Sequence, residues 1–427
     1  MGSFIESFNN IFLWVCSGLF ILYLPRIYYW VYAFKKQRHL VNSKKNRFAL
    51  IIPARYDSAV VPSLLDSIAK QTYDKNFFDT FVIVSDFVDP TVEIVKNYQN
   101  TNLHVETEQT CKGEALDSCL KKILSANPDY YDAYIIIDAD NILKANFVEE
   151  MNNALMSGKQ IIVSKKLIKN RLSKSLKANT FFSTCSGLSY TYVDDFGNAY
   201  RTKHGIACSL CGTGMTVTKD VIKELNGWPY RTMTEDFELT ADSILRGYTT
   251  MYYRYAQNYT EEATTFKVTC NRLMRWLNGY QQTNKLYRSK IEKDTWGSGK
   301  IKVKNFDFLY GLWPFLAYLI AGILNALTNA VFLVIMLSKG GNWQIAFNGL
   351  LLTLLILYVP MVLYTAIVLI ADGKNLKLSF IETFIITILN PFFFILYAVA
   401  YVRGLFVDVS QWQQVERVDF EGTLNEV

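Results

Sequence analysis

Two aspartates one residue apart follow a run of apolar residues in the stretch YIIIDADN (134–141). In a strand, residues i and i+2 point to the same side of the sheet, so Asp138 and Asp140 would aim at one spot. Two carboxylates at one spot repel each other unless a cation or a donor lies between them. Hard oxygen ligands of this kind suit Mg²⁺ or Mn²⁺, and such ions are usually shared with a phosphate. The simpler alternative is that aspartate and asparagine end a strand and begin a turn.

Two further stretches carry small or acidic residues that suit a site. CGTG (211–214) lets the main chain come close to a ligand, although an ordinary tight turn explains it equally well. TED (234–236) places Glu235 and Asp236 at the start of a predicted helix. The alternative for TED is a capping box in which Thr234 is the N-cap.

A third stretch, RLMRW (272–276), combines two arginines with a tryptophan. Arg272, Arg275 and Trp276 are spaced i, i+3, i+4 and therefore share one face of a helix. Two guanidinium groups beside an indole would grip a diphosphate and stack on a ring. The alternative is a basic helix that lies against lipid headgroups.

Strands that alternate with helices must position these residues. Such alternation predicts a parallel α/β sheet, whose ligands bind at the carboxyl ends of the strands. Asp86 stands at the carboxyl end of one predicted strand, and Asp138 and Asp140 stand at the carboxyl end of another. The predicted strands are RFALIIPAR (47–55), TFVIVSD (80–86), LHVET (103–107) and AYIIIDAD (133–140).

Composition narrows the class of protein. The 427 residues are 51% hydrophobic with a net charge of +6, and no aromatic and basic nucleic-acid motif is present, so we expect a membrane-surface protein and no nucleic-acid partner. The seven cysteines are scattered, which is typical of a reducing compartment. Cys208 and Cys211 form a lone CxxC without the second pair that zinc needs.

Apolar runs of about 20 residues predict membrane helices. Residues 1–45 are predicted as an N-terminal helix with a basic linker, 46–304 as a cytosolic domain, and 305–427 as about three helices with a short tail. Basic residues crowd after the first helix, which favours a cytoplasmic domain on the plasma (inner) membrane. The apolar segments are 11–34, 308–337, 347–370 and 380–402.

Two basic stretches, 165–182 and 284–296, are predicted as amphipathic helices on the inner leaflet, although plain solvated helices explain them nearly as well. The parity of the membrane helices stays open at this stage. One helix before the domain and three after it place the tail outside, whereas a cytosolic tail requires that one segment does not span.

The motifs occur in an order that resembles the family-2 glycosyltransferases, and more closely the membrane-embedded cellulose synthase and hyaluronan synthase group. The resemblance covers about residues 48–280 and rests on IIPAR, VIVSDFVDPT, KGEAL, DADN, CGTG, TED and RLMRW, followed by the membrane block. It implies a GT-A fold with a mainly parallel sheet, joined to an α-helical transmembrane region.

The resemblance also implies roles for the residues at these motifs. Asp236, with Glu235 and Thr234, matches the TED motif of the general base, and Asp140 with Asp138 matches the metal-binding DxD motif. Trp276 matches the end of QxxRW, near both the donor and the acceptor. The remaining implied donor-binding residues are Pro53, Ala54, Asp57, Asp86, Lys112, Gly113, Asp138, Arg272 and Arg275, and the implied acceptor residues are Gly212, Thr213 and Gly214.

The sequence departs from the family pattern at two places. Tyr56-Asp57 stands where the family has Asn-Glu, and Arg272 stands at the Gln of QxxRW. The second change adds a positive charge near the expected diphosphate.

These motifs predict an inverting enzyme that moves sugar from a UDP-sugar, with UDP-glucose the first guess, to a growing β-linked, β-glucan-like polysaccharide and exports it through its own transmembrane helices. The alternative is a non-processive transferase that adds one sugar to a lipid or polyprenyl phosphate. A transporter or receptor with a non-catalytic α/β domain would not need Asp138, Asp140 and Asp236 together.

Overall fold

One mixed sheet organises the part of the chain that the sequence predicts as α/β. The computed structural model describes residues 2–23, 26, 29–173, 175, 177–297, 299 and 301–407, and within these ranges eight strands form that sheet. In chain order they are β1 Phe48–Pro53, β2 Phe78–Val84, β3 Thr101–Val105, β4 Ala133–Ile136, β5 Ile142–Leu143, β6 Ile161–Ile168, β7 Met215–Thr218 and β8 Thr250–Thr260.

The strands lie in the order β3-β2-β1-β4-β7-β6-β8-β5. The pairs β3–β2, β2–β1 and β1–β4 are parallel and comprise the four strands predicted from the sequence. Strand β7 is antiparallel to both of its neighbours, whereas β6 and β8 are parallel to each other. The antiparallel β7 begins directly after the CGTG sequence, so the loop that carries the two glycines returns to the ends of the parallel strands.

Both faces of the sheet are buried, which explains why its strands are almost continuously apolar. On β1, Phe48, Leu50 and Ile52 pack into the core on one face, while Ala49 and Ile51 pack into the core on the other. The polar residues are therefore displaced to the strand ends, where the loops collect them.

Helices flank the sheet and then enter the apolar region. The helices of the α/β part are α3 Val61–Ala69, α4 Thr91–Val95, α5 Lys112–Ala126, α6 Phe147–Leu155, α7 Phe181–Thr191, α8 Ala199–His204, α9 Lys219–Leu225, α10 Glu235–Arg246, α11 Phe266–Trp296 and α12 Phe306–Leu309. The others are α1 Gly2–Tyr23, α2 Tyr29–Ala33, α13 Trp313–Lys339, α14 Gln344–Thr353, α15 Val359–Asp372 and α16 Phe380–Gly404. Wider π-helical turns, Tyr192–Asn198 and Leu354–Tyr358, join α7 to α8 and α14 to α15.

Four of the described helical segments are long and apolar enough to cross a membrane: Gly2–Leu22, Trp313–Lys339, Gln344–Leu376 and Phe380–Gly404. One precedes the sheet and three follow it, which agrees with the number expected from the sequence. The short tail expected after the last helix includes residues 410–420, which lie outside the described residues.

The first of these helices does not lie where the sequence analysis placed it. The prediction took 11–34, but α1 begins at Gly2 and ends at Tyr23. The early residues of this helix have partners in the later helices: Ile5 packs against α13 and α14, and Asn9 exchanges hydrogen bonds with Asn329.

The prediction of an amphipathic helix over residues 165–182 is wrong. Its first residues belong to β6, in which Lys165 and Lys166 are both buried. In the strand these lysines pair with buried aspartates instead of facing solvent, which the spacing of basic and apolar residues does not reveal. The second stretch, 284–296, does lie in α11, and its contact with lipid stays a prediction.

Lys165 connects the sheet to the membrane helices. Its ammonium group donates to Asp195 in the first π-helical turn and to Asp372 at the end of α15, each at 2.6 Å. All three side chains are at most 8% exposed, and Arg254 also pairs with Asp195 at 2.9 Å. Two carboxylates in so small a buried volume depend on these cations to offset the loss of hydration.

We expect Lys165→Met to destabilise the protein by about 3–5 kcal/mol, because it leaves a buried carboxylate without its cation. Thermal unfolding of the full chain in detergent would measure the loss. Lys96→Met is the matched control, because Lys96 and its partner Glu93 are both largely exposed, and such a pair contributes little. Equal midpoints for the two variants would contradict the role assigned to Lys165.

Candidate active site

The two aspartates of DADN lie in a turn directly after β4, not within the strand as the alternation argument assumed. The strand ends at Ile136, and the amide of Asn141 donates to the carbonyl of Asp138 at 3.1 Å. The two carboxylates are nevertheless close enough to interact. Burial raises the pKa of Asp138, and the charge of Asp140 raises it further against the opposing effect of Lys112.

Lys112, at the first residue of α5, joins three parts of this region. Its ammonium group contacts Asp138 at 2.6 Å, the carbonyl of Gly212 at 2.7 Å and Glu235 at 3.1 Å. Burial lowers the pKa of Lys112, but the charges of Asp138 and Glu235 outweigh burial and raise the pKa above its usual range. The resemblance implies that Lys112 binds the donor, and its contacts lie on the carboxylate side of the site.

Gly113 has a packing reason that the motif did not reveal. A Cβ at this position would lie 1.9 Å from the carbonyl oxygen of Tyr230, which no side chain tolerates. Glycine therefore allows α5 to dock close to the segment that leads into TED.

The CGTG loop holds the DADN turn. Thr213 accepts hydrogen bonds through its hydroxyl oxygen from the amide of Asp138, at 2.9 Å, and from the side chain of Asn141. Gly212 and Gly214 have φ of 69° and 62°, in the left-handed region that favours glycine. A Cβ on Gly212 would lie 3.1 Å from Oδ2 of Asp236, so this loop closes directly over the acid of TED.

TED begins helix α10, but not as a capping box. Thr234 occupies the N-cap position without a side-chain capping bond, and its hydroxyl lies where a Cβ on Gly279 would come within 2.3 Å. The next two residues therefore face the site. Burial, followed by the charge of Glu235, raises the pKa of Asp236 from 3.8 to about 7, against the opposing charge of Lys112.

The two arginines of RLMRW, on α11, have different surroundings. Burial and the charge of Arg272 lower the pKa of Arg275, while the acids Asp138, Glu235 and Asp236 oppose that shift, so Arg275 lies within the field of the carboxylate cluster. Arg272 instead contacts Glu262 at 3.0 Å and lies 4.9 Å from the ring of Trp276.

The residues expected to hold a nucleoside lie at the ends of β1 and β2. Ala54 is buried and its amide donates to the carbonyl of Ile83, while Pro53 ends β1. Asp86 accepts a hydrogen bond from the Tyr56 hydroxyl at 2.7 Å, which lowers the pKa of that carboxyl. Asp57 accepts from the amide of Arg55 and therefore shapes the turn between them.

Tyr56 has a backbone conformation that the sequence analysis did not predict. Its φ of 55° is unusual for a side chain of this size, and its amide donates to the buried Asp89 at 2.7 Å. A strained backbone at a strand end is often found at functional sites. The signal in the sequence was the replacement of the family's amide residue by tyrosine.

The donor atoms at DADN fit a hard divalent cation that is shared with a ligand. Among the described residues, no three acidic, histidine or cysteine side chains are arranged to hold a metal ion. The protein would therefore supply Asp138 and Asp140 only, leaving other positions to water and phosphate oxygens, as Mg²⁺ and Mn²⁺ commonly accept. The repulsion that raises the pKa of Asp138 would be relieved by such an ion.

We expect Asp236→Asn to raise the free energy of unfolding at pH 8. An acid whose pKa rises from 3.8 to about 7 on folding binds more protons folded than unfolded between these values, so its cost to stability grows across that window and is complete above it. Thermal unfolding at pH 4, 6 and 8 would show the gain of the variant increasing with pH.

The exposed Asp129→Asn is the control for this series. Hydrogen bonding to Lys223 lowers the pKa of Asp129. Removing this carboxylate should therefore lower the free energy of unfolding slightly, which is the opposite of the effect expected for Asp236→Asn. A gain from Asp236→Asn that is independent of pH would contradict the assignment of a perturbed carboxyl.

Known proteins resemble this chain over most of its length. The probable glycosyltransferase YdaM of Bacillus subtilis (strain 168) is 21% identical over 386 residues, covering 87% of each chain. The solved mannosyltransferase PcManGT from Pyrobaculum calidifontis, in complex with GDP-Man and Mn²⁺, superposes with a TM-score of 0.58 at 17% identity, covering 86% of this chain and 99% of that one. This likeness confirms the GT-A-like α/β core expected from the sequence.

A family model described as "Glycosyl transferase family group 2" matches residues 134–400. The matched region begins in β4, includes DADN, CGTG, TED and RLMRW, and ends in α16, so it contains the carboxylate cluster and reaches into the last of the three apolar helical segments that follow the sheet. Because the match covers well over half of the chain, the protein belongs to the glycosyl transferase family group 2.

Proposed function

We propose that the protein transfers a sugar from a nucleotide-diphosphate donor to an acceptor hydroxyl at the membrane, with inversion at the anomeric carbon. The observation that carries this proposal is the position of Asp236. This carboxyl has a pKa near neutrality and lies against the Gly212 loop, in the electrostatic field of Lys112 and Asp138. A base with such a pKa can accept a proton at physiological pH.

The positive groups suit the leaving diphosphate. Lys112 and Arg275 face the carboxylate cluster, and a preorganised cation stabilises the charge that develops on a departing phosphate. A divalent ion held by Asp138 and Asp140 would supply further neutralisation there when bound. Attack on the face opposite the diphosphate needs no protein nucleophile and inverts the configuration.

The nucleoside would lie between the ends of β1 and β2. Asp86, fixed by the Tyr56 hydroxyl, presents an ionised carboxylate beside Pro53 and Ala54. We keep UDP as the proposed nucleotide and UDP-glucose as the first donor to test. The similar mannosyltransferase was solved with GDP-Man, so GDP-mannose is the natural second donor.

The acceptor meets the site at the membrane. Helix α11, which carries Arg275 and Trp276, packs along α16 through a cluster that includes Leu273, Met274 and Ala400. We propose that a growing β-linked polysaccharide occupies this junction, with Gly212, Thr213, Gly214 and Trp276 beside it, and leaves through the helices. The catalytic domain would lie on the cytoplasmic side of the inner membrane, as the basic residues after α1 indicate.

A second candidate acceptor is a lipid or polyprenyl phosphate. The polar side chains within the membrane helices bond to one another: Asn9 to Asn329, Asn325 to Thr353 at 2.8 Å, and Asn390 to Thr365 at 2.9 Å. Groups paired in this way hold helices together and are less free to line a path for a sugar chain. This observation favours an acceptor that stays in the bilayer.

Product analysis separates the two candidates. Full-length protein in nanodiscs would be incubated with UDP-glucose or GDP-mannose and Mn²⁺, and nucleotide release and product size would be measured. A high polymer supports the synthase, and one glycosylated lipid supports the second candidate. EDTA should abolish release, because the carboxylate pair is arranged for a cation; full activity in EDTA would contradict the metal assignment.

Asp236→Asn should lower turnover by about 10²–10⁴-fold, the usual contribution of a general base, while leaving nucleotide binding within about threefold. In the wild-type protein, kcat/KM should rise with pH to a plateau above about 7, because the base must be deprotonated. Isothermal calorimetry and a pH–rate series measure both. Near-normal turnover in this variant would show that another group is the base.

A further inference from the structure

Glu262 is a buried carboxylate that none of the motifs includes. It lies two residues past the end of β8 and is 2% exposed, and its main chain is fixed on both sides by Asn170. Burial raises the pKa of Glu262, and the charge of Arg272 opposes that shift. A carboxylate in such a place needs a cation to remain ionised.

Arg272 supplies that cation and is itself held firmly. One terminal nitrogen lies 3.0 Å from Glu262 and 3.1 Å from the hydroxyl of Tyr190, and the other donates to the carbonyl of Glu261 at 3.0 Å. These partners come from α7 and from the segment between β8 and α11. The plane of the guanidinium group is therefore set by residues outside its own helix.

The same guanidinium group lies over the indole of Trp276, one helical turn further on. The distance from its central carbon to the ring is 4.9 Å, within the range of a cation–π contact. Trp276 is only partly buried. The contact with Arg272 therefore restrains an indole ring that is partly exposed. Glu262 and Trp276 thus both contact the guanidinium group of Arg272.

Arg275 does not share this environment. The acids that influence it are Asp138, Glu235 and Asp236, whereas the ion-pair partner of Arg272 is Glu262. The two arginines of RLMRW therefore have separate tasks. Of the two arginines, it is Arg275 that has the electrostatic surroundings of a group that meets the diphosphate.

We propose that Glu262 and Arg272 form a positioning pair that fixes the orientation of Trp276 at the acceptor side of the site, and that Arg272 does not bind the donor. This inference rests on the proposed function, because the acceptor role of Trp276 belongs to it. The extra charge at the Gln position of the motif is balanced within the fold by Glu262 and does not add to the diphosphate site.

Four variants and a control test the pair in the full chain. Arg272→Lys keeps the charge for Glu262 but loses the planar group that stacks on Trp276. Glu262→Gln and Arg272→Gln each break the pair, and the double variant removes both charges together. Arg288→Gln is the control, because Arg288 lies on the same helix and pairs with Glu292 at its surface.

Two readouts do not depend on turnover. The midpoint of thermal unfolding should fall in both single Gln variants. It should return towards the wild-type value in the double variant and in Arg272→Lys, because these two variants leave no buried charge unpaired. Hydroxyl-radical oxidation of Trp276, followed by mass spectrometry, should rise at least about twofold in all four variants, since each one loses the fixed guanidinium plane.

Turnover should correlate with the oxidation of Trp276 across the variants, and not with their midpoints of thermal unfolding. With UDP-glucose or GDP-mannose, whichever the wild-type protein accepts, kcat should fall about tenfold or more in Arg272→Lys and in the double variant, with donor KM within about twofold. Wild-type kcat and wild-type Trp276 oxidation in these two would overturn the proposal. A raised donor KM at unchanged kcat would also overturn it, because Arg272 would then bind the donor.

A wild-type protein that turns over neither donor would contradict the proposed function, independently of the positioning pair. Oxidation of Trp276 would still decide the pair in that case. Unchanged oxidation in Arg272→Lys would overturn the positioning role, and increased oxidation with retained stability would support it.

Discussion

The ammonium group of Lys112 is the contact on which the site depends. It binds oxygens from the DADN turn, the CGTG loop and the start of α10, so one charge joins three segments that are far apart in the sequence. Without a cation at this point, Asp138 and Glu235 would repel each other in a partly buried cleft. The same charge acts on Asp236, where it opposes the rise in pKa that burial and the neighbouring Glu235 cause.

The sheet and the membrane helices together position the candidate site residues. The parallel strands deliver Asp86 and Asp138 to one edge, and α11 closes that edge while packing along α16. A polar reaction is thereby held at the surface of an apolar helix bundle. The candidate site residues lie outside the four apolar helical segments, yet the helix that carries Arg275 and Trp276 packs against one of them.

The sequence predicted the parallel strands, the strand-end acids and the number of membrane helices because each leaves a local signal: apolar runs, terminal aspartates and length. It did not predict the partners of buried charges. Lys165 and Lys166 read as a basic surface because their aspartates come from later segments, and Asn9 reads as a polar end because Asn329 lies 320 residues away. Glu262 was missed for the same reason, since its significance depends on Arg272 and Trp276 in the folded chain.

The bond between Lys165 and Asp372 has a consequence for how the protein is made. The two residues are 207 positions apart, so β6 leaves the ribosome long before its partner in the membrane region exists. The α/β part can therefore complete its buried charge network only after α15 has been synthesised and inserted. Biogenesis of the catalytic half is coupled in this way to the membrane half, and a domain released by truncation would keep the lysine but lack one of its counter-charges.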